Sequence, residues 1–217
     1  MNDWLTLVTR SHPGTPLDLV VALTLLGIAP FALVMCTSFV RIAVVLSLVR
    51  SAVGASAMPP NAALTGLALV LTLVVMSPTL RAVSTDAVAP YARGRISQGE
   101  AIVRAGRDVR AVMLRQTHVA DIGLFERVAG RSDPPDSASW PVLLAAFSVG
   151  ELRSGFAIGF ALYLPFVAID LTVASILMGL GMVMLSPPVV SLPVKLLLFV
   201  MVDGWALVCG GVAASFR

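Results

Sequence analysis

The sequence predicts an all-α fold of the integral-membrane type, with about four kinked apolar helices in two hairpins and a small polar helical insert between them. Three observations predict it. The 217-residue chain is 58% hydrophobic and has a mean hydropathy of +0.93, well above a typical soluble domain. Its apolar residues gather into blocks long enough to cross a bilayer, which takes about 20 of them. Proline and glycine fall between the blocks, where helices must stop.

The elements follow in order. Met1 to Pro16 carries Asp3 and Arg10 but no charged stretch leading into an apolar core and a small-residue cleavage site. Insertion is therefore expected to use the first apolar segment. Apolar character runs from Leu17 to Leu48 and from Ala62 to Leu80, and Gly54 with Pro59-Pro60-Asn61 separates the two. It returns from Val142 to Leu185 and from Val189 to Phe216, divided by Pro187-Pro188. Each short break marks a helical hairpin. The first block has room for a span plus an extension, and the third for a broken pair. Pro30, Pro78, Pro165 and Pro193 lie in or beside apolar sequence, where each removes a backbone hydrogen bond that neighbours must re-satisfy. Between the hairpins, Arg81 to Pro141 is arginine-rich and ends in the loop Ser132-Asp133-Pro134-Pro135-Asp136. Within it, Val103, Val109, Val112, Met113, Ile122, Leu124, Phe125 and Val128 recur at roughly helical spacing, so one or two amphipathic helices are expected over Ala101 to Ala129. The chain thus divides into 1–80 (N-terminal segment and first hairpin), 81–141 (polar module) and 142–217 (second hairpin and C-terminus).

Several function classes lose their residues. The two histidines, His12 and His118, both lie outside apolar sequence, which leaves no intramembrane Ser/His dyad and no His-based metal site. There is no P-loop, HExxH, CxxC or GxGxxG. No catalytic residue, cofactor or metal is expected. Cys36 and Cys209 sit in apolar segments, where a cysteine is read as a small buried hydrophobe. The net charge of +3 comes from scattered arginines interleaved with acids, which makes nucleic acid a poor partner.

Six charges inside apolar sequence remain: Arg41, Glu151, Arg153, Asp170, Lys195 and Asp203, three of each sign. A charge at the bilayer centre costs about 2.5–3.5 kcal/mol on insertion scales, so such groups face a partner or a water-filled path. For Arg41 the alternatives are snorkelling to an interface or an inter-helix pair with a carboxylate such as Asp170 or Asp203. Glu151 and Arg153, two residues apart, point to different helix faces and so reach separate neighbours, either helices or subunits. Gly155 and Gly159 after them have the small-xxx-small spacing of a close helix contact. Met178, Met182 and Met184 crowd the end of the third block. They read either as core filling or, if several copies meet, as a compliant apolar seal. Broken helices with internal charges also fit a stand-alone small-solute transporter or channel.

Several blocks in the same order carry a resemblance: TSFVRIAVVLSLVR (Thr37–Arg50), MPPN (Met58–Asn61), GLALVLTLVVMSP (Gly66–Pro78), LRQTHVADIGLF (Leu114–Phe125), LYLPFVAIDL (Leu162–Leu171), GLGMVML (Gly179–Leu185) and SLPVKLLLFVMVDGW (Ser191–Trp205). With these the chain closely resembles the FliP/SctR (YscR/HrcR) family, export-gate subunits of flagellar and virulence type III secretion. The resemblance implies a multi-pass protein of the bacterial inner membrane, in a flagellar basal body or injectisome base. It implies a homopentamer joined by FliQ/SctS-like and FliR/SctT-like subunits and working with FlhB/SctU- and FlhA/SctV-like components. Unfolded export substrates would pass through the pore of that assembly. It further implies that the six charges are assembly contacts and that the family's methionine gasket maps onto Met182 and Met184, with Met178 one turn earlier and Val183 replacing a methionine. The family places the central module in the periplasm. Its nine arginines against seven acids over 81–141 would by the positive-inside rule keep it cytoplasmic. LRQTHVADIGLF looks flagellar and the lack of a visible leader looks like the virulence branch; the reading leans to flagellar.

Overall fold

The computed structural model describes residues 20, 23, 24, 27, 30, 31, 34–54, 59–182 and 184–216. The readings made on Met1–Pro16, on most of the first apolar block before Leu33 and on Val183 lie outside the described residues. Every regular element among the described residues is helical, as the sequence predicts. The chain forms two compact units, one holding residues up to Ser38 with Met76–Gly150, the other Phe39–Val75 with the chain from Glu151 onward.

The second of these units begins with helix α1 (Phe39–Val53) and helix α2 (Asn61–Val75). α1 buries Ile42, Val45, Leu46, Val49, Ala52 and Val53, a stripe at the three- and four-residue spacing of one helix face. Gly54 stops it by turning to φ +82°, a conformation glycine adopts without steric cost. Pro59-Pro60 then starts α2, the Pro60 carbonyl accepting from the amides of Ala63 and Leu64 at 3.0 and 3.2 Å. The core adds Leu64 and Ala68 of α2. Phe166 joins it from helix α7 (Trp140–Gly179), Phe199 from helix α8 (Pro187–Met201), and Val208 and Val212 from helix α9 (Gly204–Ala214).

α7 is one continuous helix of 40 residues with Pro165 inside it, so the third apolar block is not the broken pair that its sequence allowed. The pyrrolidine removes the amide that would bond the Ala161 carbonyl, yet the helix continues to Gly179. At 1.5 Å per residue α7 is about 60 Å long, roughly twice a bilayer's hydrocarbon core. Among the described residues it alone is long and apolar enough to cross a membrane. α2 with Ser77–Ala92, and α8 with α9, reach that length only as bent pairs, giving at most three spans. α8 and α9 meet at a 64° bend where Asp203 takes the left-handed conformation, φ 49°.

The other unit holds helices α3 (Ser77–Val83), α4 (Ala89–Ala92), α5 (Gln98–Gln116) and α6 (Val119–Val128) with the first turns of α7. A π-helical turn, Ser84–Val88, joins α3 to α4, and the Ala89 amide bonds the Ser84 carbonyl five residues back. Pro90 explains the widening, since it supplies no amide to the ladder at the next step. The core consists of Met113, Ile122, Ala138, Val142, Leu143, Ala146 and Phe147, with Cys36 half-buried against it. Arg110 clasps the loop before α7, donating from Nη2 to the carbonyls of Asp136 and Ala138 at 3.0 and 2.6 Å.

α5 opens with a capping box. Ser97 Oγ accepts from the Glu100 amide at 3.3 Å while the Ser97 amide donates to Glu100 Oε2 at 2.9 Å, so two otherwise orphaned amides are satisfied reciprocally. The Ser97 amide first, and after it the Ser97 hydroxyl, which donates to Glu100 Oε2 at 3.2 Å, hold the Glu100 carboxyl below its ordinary 4.5. Because the folded value is the lower one, the stabilisation is complete above pH 4.5 and fades as pH falls through the depressed value. Ser97→Ala is expected to cost about 1 kcal/mol. Faster amide exchange in the first turn of α5 at neutral pH, shrinking towards pH 3, is the readout.

Candidate functional site

Four of the six charges within apolar sequence form two ion pairs inside the chain. Arg41 of α1 meets Glu151 of α7 in a two-pronged contact, Nε to Oε2 at 3.0 Å and Nη2 to Oε1 at 2.5 Å. Arg41 is 4% exposed and Glu151 fully buried, which rules out snorkelling, and the carboxylate is Glu151 rather than Asp170 or Asp203. Arg41 Nη1 donates to the Ser215 carbonyl at 3.0 Å and to its hydroxyl at 3.2 Å. The Phe216 ring covers the guanidinium at 3.9 Å. A buried ion pair is tolerable only when its remaining donors are also met, and the C-terminal residues meet them here. Nothing in the sequence near Arg41 signals that role for Ser215 and Phe216.

The contact continues along both helices. A Cβ on Gly155 would lie 3.2 Å from the Arg41 carbonyl and 3.2 Å from Val44. A Cβ on Gly159 would drive into the Leu48 side chain, whose Cβ is 3.0 Å away. Arg41, Val44 and Leu48 of α1 thus face Glu151, Gly155 and Gly159 of α7 in the same order, so the two helices run parallel here. Glycine at the second and third points lets the backbones approach closely enough for the first to form.

Lys195 of α8 carries the second pair. Its Nζ lies 2.5 Å from Asp170 Oδ2 of α7 and 3.1 Å from the Ala52 carbonyl in the last turn of α1. Ser191, one turn before Lys195, donates to Asp170 Oδ1 at 2.7 Å. A cation on a carbonyl of a helix's last turn satisfies one of the four acceptors that end leaves open. Ser191 was readable only as the i−4 neighbour of Lys195, and Ala52, being a backbone acceptor, leaves no mark in sequence.

Arg153 and Asp203 are exposed on the single chain. Asp203 precedes α9 without a side-chain cap bond. Next to it Gly204 is obligatory, since a Cβ there would enter the Phe199 ring, which packs edge-on against Trp205 at 5.2 Å.

The methionines occupy the tip between α7 and α8. Gly181, at φ +73°, closes α7: its amide bonds the Met178 carbonyl at 3.1 Å and the Met182 amide bonds that of Leu177 at 2.9 Å, the paired bonds of a Schellman motif. This turn throws the side chains outward, and Met178, Met182 and Met184 are 66%, 46% and 103% exposed. They fill no core within the chain. Large apolar residues are also exposed along α7 (Phe156, Phe160, Leu164, Leu171) and α8 (Leu197, Val200, Met201), far more than a soluble monomer carries. Among the described residues no three of His, Cys, Asp and Glu cluster as a metal site. The arrangement offers helix pairing, apolar contact surface and a flexible apolar tip.

Comparison with known proteins gives a consistent result. The profile of the FliP family matches residues 22–212. The flagellar biosynthetic protein FliP of Pectobacterium carotovorum subsp. carotovorum is 50% identical over 198 residues, 90% of this chain and 77% of the relative. That of Bacillus subtilis (strain 168) is 38% identical over 221 residues and the full length of both chains. That of Cereibacter sphaeroides is 44% identical over 215 residues, 96% of this chain and 71% of the relative.

Gly159→Leu is expected to part α7 from α1 and cost about 1–3 kcal/mol or more, the range for overpacking a close contact. Thermal unfolding in detergent measures it, and adding Leu48→Ala should recover part of the loss.

Proposed function

The chain belongs to the FliP family, and from that membership we propose that it is a core subunit of the pore through which the type III export apparatus moves unfolded proteins across the inner membrane. It is a non-enzymatic, membrane-associated component of the flagellar export apparatus. Of the two branches read from sequence, the flagellar one agrees with the names of its relatives.

The observation that carries the proposal is the exposed apolar surface along α7 and α8, which ends in the methionine tip. A single chain leaves that surface uncovered, and burying it against other copies and neighbouring subunits recovers about 25 cal/mol per Å². We assign it to a homopentamer completed by FliQ- and FliR-like subunits and served by FlhA- and FlhB-like components. In such a ring Met178, Met182 and Met184 of several copies converge. Thioethers deform around what passes and close behind it, so the tip seals the pore against small solutes and yields to an extended polypeptide. Arg41–Glu151 and Lys195–Asp170 act from within, fixing the shape each copy presents, while Arg153 and Asp203 face neighbouring subunits. The insert between the hairpins is assigned to the periplasmic side.

Two outcomes test this. Native mass spectrometry of the chain co-expressed with its FliQ- and FliR-like neighbours should give a multi-subunit complex; a strictly monomeric product, with solute flux through liposomes holding this chain alone, would favour a stand-alone channel. Met182→Ala with Met184→Ala should leave that complex intact and raise small-solute leakage, whereas Lys195→Ala should reduce the yield of complex, since it removes the link from α8 to Asp170 and to the Ala52 carbonyl. Failed assembly in the methionine variant would make the tip structural.

A further inference from the structure

We propose that the cleft between the last turns of α1 and the first turns of α2 binds the phosphate of an anionic phospholipid through Arg50. The cleft, about 150 Å³, is lined by Ala43, Ser47 and Arg50 of α1 and by Asn61, Leu64 and Thr65 of α2. Arg50 Nη1 donates to Asn61 Oδ1. Among the described residues that neutral oxygen is its hydrogen-bond partner and no carboxylate lies within ion-pair distance, unlike Arg41 and Lys195. A guanidinium has five N–H donors in a fixed fork. Asn61 orients the fork and leaves its charge and other donors for an anion. Ser47 and Thr65 add hydroxyls to the same lining, so the site offers a cation and neutral donors with no competing acid. Phosphate matches that set, since arginine holds it two-pronged.

The surroundings distinguish a lipid from free phosphate. From Thr65 the same face of α2 continues, at four-residue steps, to Leu69 and Leu73, which are 38% and 55% exposed. Twelve residues from Asn61 to Leu73 rise about 18 Å, close to one leaflet of hydrocarbon, about 15 Å. A cationic cleft at the end of an exposed apolar strip of leaflet length fits a headgroup with its acyl chain and leaves the strip unused if the ligand is phosphate alone. The inference rests on the membrane setting of the proposed function but not on the export pore, and it is tested on the single chain.

The full-length protein, delipidated in detergent, is titrated with dioleoylphosphatidylglycerol, with dioleoylphosphatidylcholine, and with inorganic phosphate as competitor, and adducts are counted by native mass spectrometry. Phosphatidylglycerol should bind about tenfold better than phosphatidylcholine, as expected for a net charge held by a half-buried arginine. Arg50→Gln should remove that preference, and Arg50→Lys, which keeps charge and fold but loses the fork, should fall between. Leu69→Gln with Leu73→Gln should weaken the lipid several-fold with Arg50 intact. Phosphatidylglycerol binding unchanged in both Arg50 variants would overturn the site. Displacement by equimolar inorganic phosphate would reduce it to a free-anion site and overturn the lipid assignment. Loss of self-association in Arg50→Gln with lipid adducts unchanged would assign Arg50 to a carboxylate of a second copy and likewise overturn it.

Discussion

The buried pair between Arg41 and Glu151 is the constraint on which the rest of the second unit depends. Neither group is stable alone in an apolar interior, and each fixes the position of the other to within hydrogen-bond distance. To bring them together α1 and α7 must pack at glycine distance over two further turns, which Gly155 and Gly159 permit. Closing the donor set of Arg41 draws in Ser215 and the Phe216 ring, so the end of α9 is tied to the start of α1. Lys195 repeats the device at the other end of α1, on the Ala52 carbonyl.

With its charges largely satisfied within the chain, the unit turns apolar faces outward. This separates two tasks that look alike in sequence. Arg41, Glu151, Lys195 and Asp170 set internal geometry, while phenylalanines and leucines of α7 and α8 and the methionine tip face whatever surrounds the chain. The tip owes its presentation to one backbone feature, Gly181 in the left-handed region, which ends a 40-residue helix abruptly enough to leave Met184 wholly exposed.

The helical fold was legible because proline and glycine punctuate it at Gly54, Pro59-Pro60 and Pro187-Pro188, and these act locally. The continuity of α7 through Pro165 was not, since a proline inside a helix can either kink it or end it and the local sequence does not say which. The need for partners to the buried charges was legible, and so was the glycine contact, because spacing along one helix encodes both. The identity of the partners was not: Glu151 lies 110 residues from Arg41, and no local pattern relates them. The exposure of Arg153 and Asp203 on one chain was not legible either, because hydropathy records the segment a residue lies in and not the face it occupies.

A double-mutant cycle on Arg41 and Glu151, measured as unfolding free energy of the purified chain in detergent, tests this account most directly. Arg41→Met and Glu151→Leu should each cost about 3–5 kcal/mol, because each strands a buried charge, and the double variant should cost far less than their sum. Additive losses, or single variants as stable as the parent chain, would contradict the pair's organising role.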